Sequence, residues 1–246
     1  MANSIEFFRG DAPTITAAYP LDVDTGLDAR GICWGGQYDG SLFFWIVLAS
    51  GATGAAVLKR YKVNIAKANA VQLGSFRIAK TTDTFYGITT DGANLYILKN
   101  EITIAPDTRT LINVHKCNNP ATLVQSFVVI NSPATPGDIT FDGTKLWWNY
   151  SLNGDLETPP FIDSVATANL GKGGFNTVQV ALDARSIEHT GDNTFLYVTT
   201  DTGGNVGLCY KKDAETIKER AISGSALTNH YKLCRFGRDD YAITGA

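Results

Sequence analysis

Pro136-Gly-Asp-Ile-Thr-Phe-Asp-Gly-Thr-Lys-Leu-Trp-Trp-Asn-Tyr150 reads as a short apolar strand, an Asp-Gly turn and a second, aromatic strand. A near copy is Tyr86-Gly-Ile-Thr-Thr-Asp-Gly-Ala-Asn-Leu-Tyr-Ile-Leu98, and looser copies surround Asp39-Gly40, Thr190-Gly191 and Phe236-Gly237. The turn glycines Gly40, Gly92, Gly143, Gly191 and Gly237 stand 52, 51, 48 and 46 residues apart. A period of that length in a chain of strands is the mark of a radial β architecture.

Working outward, the first repeat predicts strands over Gly31–Gly35, Leu42–Ala49, Ala56–Val63 and Val71–Ala79, and the next three repeats give four strands each. The fifth repeat, residues 231–246, holds only two. Two further strands fall within residues 4–19, and the expectation is that they complete this last blade, because pairing the two ends leaves no open seam in the ring. The whole chain, 1–246, then reads as one all-β domain: a five-bladed β-propeller of four-stranded antiparallel blades. One irregularity stands in the first blade. Ile88, Ile139, Ile187 and Leu233 lie four residues before their turn glycines but Ile32 lies eight before Gly40, so Trp34-Gly-Gly-Gln-Tyr38 is an insertion or Ile32 is the wrong anchor.

Composition narrows the function. Of 246 residues, 44% are hydrophobic and 18% charged, with 24 glycines, which suits a packed chain with many turns. The net charge of −3 comes without a basic block, so nucleic acid is not an expected partner. Residues 1–9 lack a basic start followed by a long apolar run, and the apolar stretch Leu42–Ala49 is too short to span a bilayer. Cytoplasmic synthesis without a signal peptide or membrane insertion is the expectation. Cys33, Cys117, Cys209 and Cys234 have no paired spacing and read as free thiols.

Gly-Ile-Thr-Thr-Asp-Gly-Ala-Asn-Leu-Tyr and Asp-Ile-Thr-Phe-Asp-Gly-Thr-Lys-Leu-Trp resemble the blade signature of NHL-like, YVTN-like and glutaminyl-cyclotransferase-like β-propellers. The resemblance implies an architecture and no chemistry: the signature encodes the hairpin between a blade's first two strands, with Asp capping the turn and the Leu-aromatic pair packing between blades.

Propeller ligands usually sit at one mouth of the central channel, among the loops leading into the inner strands. Asp28, Asp138 and Glu188 are the acids expected near that mouth, from three blades, and carboxylates so placed would suit glycoside hydrolysis. Trp34 and Tyr38 are the aromatics expected to be open to a sugar ring, whereas Trp45, Trp147 and Trp148, in second strands, should pack between blades. His115, His189 and His230 share no metal-ligand spacing, and neither a metal nor a cofactor is expected. Arg9-Gly10-Asp11 spells an integrin-binding tripeptide at a turn, and Asn149-Tyr-Ser151 is a formal glycosylation acceptor.

With every repeat consumed by scaffold, the leading expectation is a non-catalytic recognition or assembly module that presents a loop face to a protein or glycan. Low charge and richness in Ala, Thr, Gly and Asn suggest a phage or virion surface setting, with homo-oligomer or virion assembly among the possible states. A five-bladed glycoside hydrolase using the three acids is the rival, and a lectin with one asymmetric sugar site is a third reading.

Overall fold

The computed structural model describes residues 3–50, 55–78, 83–104, 107–130, 134–152, 161–179, 186–191, 194–200, 206–212, 218–227 and 232–245. Its strands in chain order are β1 (Ser4–Arg9), β2 (Ala17–Pro20), β3 (Asp28–Tyr38), β4 (Ser41–Ala49), β5 (Ala56–Asn64), β6 (Asn69–Arg77), β7 (Thr84–Thr90), β8 (Asn94–Ile104), β9 (Asp107–Lys116) and β10 (Asn119–Ile130). They continue as β11 (Ala134–Phe141), β12 (Lys145–Leu152), β13 (Phe161–Ala166), β14 (Asn176–Gln179), β15 (Ser186–Gly191), β16 (Thr194–Thr200), β17 (Val206–Lys212), β18 (Lys218–Ala221), β19 (Lys232–Arg235) and β20 (Asp240–Gly245). A single turn of 3-10 helix, Thr167–Asn169, interrupts the strands.

These strands form antiparallel four-stranded sheets in a β-propeller arrangement. Four sheets are each one continuous meander: β3 to β6, β7 to β10, β11 to β14 and β15 to β18. A composite sheet runs β19-β20-β1-β2, so β1 pairs with β20 from Ser4↔Gly245 to Arg9↔Asp240. The leading strands β3, β7, β11, β15 and β19 touch in that order, and β19 returns to β3.

The reason these inner strands can stand so close is written in small residues. A Cβ on Gly31 would lie 2.9 Å from the Gly87 backbone, and one on Gly87 would lie 2.9 Å from the Ile139 amide and collide with the Asp138 carboxylate. One residue further on, Ile32, Ile88, Ile139, Ile187 and Leu233 form a level, buried layer that packs each sheet on the next. That alignment confirms Ile32 as the anchor. The four extra residues lengthen the β3–β4 hairpin instead, through a bulge between Trp34 and Gly36, and Tyr38 pairs with Ser41 at its tip.

The turn acid does more than cap. Asp91 accepts from the amides of Ala93 and Asn94 and, at 2.7 Å, from the Tyr96 hydroxyl; Asp142 accepts from the amides of Thr144 and Lys145 and, at 2.7 Å, from Trp147 Nε1. The second-strand aromatic is therefore tied back to its own turn. These donors hold both carboxyls below the usual carboxylate range, overcoming their partial burial. As expected, Trp45, Trp147 and Trp148 are buried.

The seam is packed like the rest of the core. Phe7 of β1 sits 5.5 Å from Tyr19, 5.8 Å from Phe44 of the first sheet and 5.4 Å from Phe236, ring centre to ring centre. Glu6, also buried, accepts from Ser225 Oγ at 2.6 Å and from the Ala226 amide at 3.0 Å, which pins the approach to β19. Arg9 and Asp11 of the tripeptide pair with each other at 3.0 Å, so neither charge is presented alone.

Removing a Phe ring from a buried cluster costs about 3–5 kcal/mol. Phe7→Ala should lower unfolding stability by about that much in urea titrations, although the residue lies at the very edge of the sequence. Tyr38→Ala, at an exposed hairpin tip, should change it by less than about 0.5 kcal/mol.

Candidate functional site: the hairpin-side mouth of the channel

The channel is built in layers, because the five inner strands are level at their anchor residues. One position before the anchors stand Gly31, Gly87, Asp138, Ser186 and Lys232. Asp138 is 2% exposed and fills the space that Gly87 leaves. It accepts a hydrogen bond from Ser186 Oγ and is bonded to the Ile139 amide at 2.9 Å, while Lys232 donates to the Gly137 carbonyl. Burial raises the Asp138 carboxyl, and the Lys232 ammonium and the Ser186 hydroxyl pull it part of the way back. Asp138 is thus a tie across the ring.

One position after the anchors stand Cys33, Thr89, Thr140, Glu188 and Cys234, and beyond them Trp34, Thr90, Phe141, His189 and Arg235. Here the channel opens on the side where the first hairpins turn, into a cavity of ≈ 490 Å³ lined by Trp34, Phe141, Glu188, His189, Arg235 and Phe236, among others. That size is ordinary for a small-ligand site. Glu188 lies half-buried at its floor and accepts from Thr140 Oγ1 at 3.0 Å. Burial pushes its carboxyl up to about 8, with the Asp138 charge adding to the rise and the Thr140 and Arg235 hydrogen bonds opposing it. The shift favours the protonated carboxyl over the carboxylate at this position.

The walls around it are stiff. His189 stacks on Trp147 with centroids 5.8 Å apart and an interplanar angle of 14°, and meets Phe195 edge-on at 5.2 Å. Arg235 donates from Nε to the Gly237 carbonyl at 2.9 Å and from a terminal nitrogen to the Thr190 carbonyl at 2.8 Å. Trp34 stays 37% exposed because the lengthened hairpin carries it past the packed layers.

The expected site residues divide. Glu188 and Trp34 meet in this cavity. Asp138 sits one layer beneath it and is enclosed. Asp28 begins β3, at the opposite mouth, 3.9 Å from Arg30. With about 3.3 Å per strand residue, Asp28 and Glu188 are separated along the channel by at least roughly 13 Å, more than the ~6.5–9.5 Å at which paired carboxylates hydrolyse a glycoside with inversion. The three acids do not converge on one mouth. Tyr38, 77% exposed, stands at the hairpin tip and is not among the residues lining the cavity. His189, Arg235 and Phe141 carry no sequence motif. They become legible only when the anchor residues are aligned and the second position after each is read across the repeats.

His115 is buried with Nδ1 2.8 Å from the Pro120 carbonyl, and His230 lies outside the described residues. Among the described residues, no group of three or more His, Cys, Asp or Glu side chains is placed to hold a metal. Cys33, Cys117 and Cys234 are free thiols, and the Cys209 side chain lies outside the described set.

No protein-family model matches the sequence, and no curated protein does. The resemblance to NHL-like and YVTN-like repeats thus stays confined to the hairpin signature. Solved structures, however, share the fold. The catalytic domain of a GH62 α-L-arabinofuranosidase from Coprinopsis cinerea superposes with a TM-score of 0.53 at 12% identity, over 99% of this chain and 98% of that one. Zg3597, a family 117 glycoside hydrolase from Zobellia galactanivorans, gives 0.54 at 9% identity over 97% and 80%. CoXyl43, a GH43 β-xylosidase/α-arabinofuranosidase from a compost metagenome, gives 0.54 at 11% over 90% and 86%. At these identities the likeness is one of fold, and the fold shared is that of propeller glycoside hydrolases.

Proposed function

We propose that the composite sheet is the fifth blade of a single ring spanning residues 1–246, and that this propeller acts on glycosides at its hairpin-side mouth. The observation that carries the reading is the meeting of Glu188 and the partly exposed Trp34 in one open cavity, with the Glu188 carboxyl raised by burial to about 8. Trp34 offers a face on which a sugar ring stacks. Glu188 donates its proton to the glycosidic oxygen as the bond to the anomeric carbon breaks and the alcohol leaves; water then adds to that carbon and gives its proton to the Glu188 carboxylate, which restores the acid. The propeller glycoside hydrolases of like fold support the reading, and the activities of two of them make arabinofuranosides and xylosides the first substrates to try.

A specific observation favours a second reading, glycan recognition without turnover. Glycoside hydrolysis ordinarily uses a second carboxylate beside the acid, and of the acids near Glu188, Asp142 is committed to its turn and Asp138 is enclosed. Neither the fold nor the cavity adds support to a virion setting, and the assembly reading gains none from them.

Turnover of 4-nitrophenyl α-L-arabinofuranoside and β-D-xyloside separates the two readings. If the hydrolase reading holds, Glu188→Gln should lower kcat by about 10²-fold or more while the fold is kept, and kcat should fall as pH rises through about 8, where Glu188 loses its proton. Binding of the corresponding oligosaccharides with no release of nitrophenol by the wild type would leave recognition alone.

Glu188 also couples pH to stability. Its folded value of about 8 lies above the ordinary 4.5, so the folded state holds the proton more tightly. Its contribution is fully present below about 4.5 and is lost as pH rises through about 8. The melting temperature of the wild type should decline across that window, and Glu188→Gln should flatten the decline. An equal slope in both proteins would overturn the assignment of a raised Glu188.

A further inference from the structure

The mouth cavity has a neighbour that the proposed reaction does not use. Between the first and second sheets lies a cleft of ≈ 540 Å³, which shares Trp34 and Phe141 with the mouth cavity, so the two adjoin at the tryptophan. Its wall carries Arg60 of β5, with the guanidinium 5.1 Å from the Phe43 ring centre and 5.3 Å from that of Trp45. Gly35 makes room for this arrangement, since a Cβ there would press to 3.1 Å on the Trp45 ring.

Among the described residues Arg60 has no counter-charge: no carboxylate lies within ion-pair distance of it, and its Nε, shielded from solvent, has no hydrogen-bond partner. The acid that lines the same cleft, Asp91, already accepts from Ala93, Asn94 and Tyr96. By contrast the buried Lys59 next to it in sequence is neutralised by Asp24 at 3.1 Å and the Asp22 carbonyl at 2.9 Å, and the buried Lys99 by Asp83 at 2.7 Å. Only the Nε is shielded, and the residue as a whole stays partly exposed on the cleft wall, so an anion that reaches the Nε gains a bond there that water does not make. Rings beside a guanidinium hold its plane and leave its edge, a rigid fork of N–H donors, to meet a planar anion.

We propose that the cleft beside Arg60 is a carboxylate subsite, so that the glycan bound at this mouth is acidic and carries a uronic acid residue next to the sugar that stacks on Trp34. This rests on the glycan reading of the mouth. The carboxylate enters edge-on to Arg60, with the pyranose ring against the apolar wall that Trp34, Trp45 and Phe141 provide. A neutral chain fills the same volume but leaves the guanidinium unpaired, and discrimination follows from that difference.

The test is calorimetric titration of the full chain with trigalacturonate and with xylotriose, probes of equal length that differ in charge. The wild type should bind trigalacturonate more tightly. Arg60→Met, which keeps the packing of the side-chain stem, should lose about 10-fold or more of that affinity and leave xylotriose within about 2-fold, whereas Arg60→Lys should recover only part because an ammonium does not make the forked contact. Matching melting temperatures show that both variants fold. Equal affinity of the wild type for the two probes, or trigalacturonate binding untouched by Arg60→Met, overturns the subsite. Free galacturonate tests the anion site apart from the glycan reading. If it binds and depends on Arg60 while neither trisaccharide responds to Trp34→Ala, the anion site stands and the glycan reading falls. If no probe binds at all, both fall.

Discussion

Everything in this protein depends on an antiparallel pairing between the strand nearest one end of the sequence and the strand nearest the other. Six residue pairs join β1 to β20, and without them β20 would present an open row of amides and carbonyls while β19 and β20 alone would have to flank the first sheet. Isolated hairpins are marginal in water. The pairing also brings Phe7 against Phe44 and Phe236, so backbone hydrogen bonds and aromatic burial reinforce each other at the seam. Once the two ends are joined, every inner strand has a neighbour on each side.

That ring sets the chemistry of its centre. Crowding the inner strands together leaves room for few side chains: Gly31 admits the Gly87 backbone, and Gly87 cedes its side-chain space to Asp138. One layer up, partial burial raises the Glu188 carboxyl, with no motif marking the residue beforehand. A carboxyl placed to hold strands together and one placed to meet a ligand differ here by a single layer and by which neighbours reach them first: Ser186 and Lys232 enclose the former, and open space borders the latter.

The turn acids have the architectural role that the repeated signature implies. Asp91 and Asp142 recur at corresponding positions, and each borders one of the two cavities. In the structure each is saturated by the donors of its own hairpin, including the aromatic five residues on. Their repetition reflects a local folding requirement, while Arg60 and Glu188, which occur once each in the pattern, are the groups left with something to offer.

The sequence by itself determined the strands, the hairpin turns, the pairing of the two ends and the burial of Trp45, Trp147 and Trp148, because alternation, turn chemistry and a period near fifty residues are all local or repetitive signals. It also singled out Trp34 and Glu188. What it left open was whether Ile32 was in step, and the bulge at Trp34 answered that by moving the extra residues into the hairpin. Only the tertiary structure decided which mouth each acid faces. Asp28, Asp138 and Glu188 lie on different strands, and their relative height along the channel follows from how neighbouring sheets align, a quantity set by packing between sheets and by the glycines that permit it. Spacing from the anchor residues gives each acid its height only once the sheets stack level at those anchors, and that stacking puts the three acids at one mouth, within the core and at the other mouth.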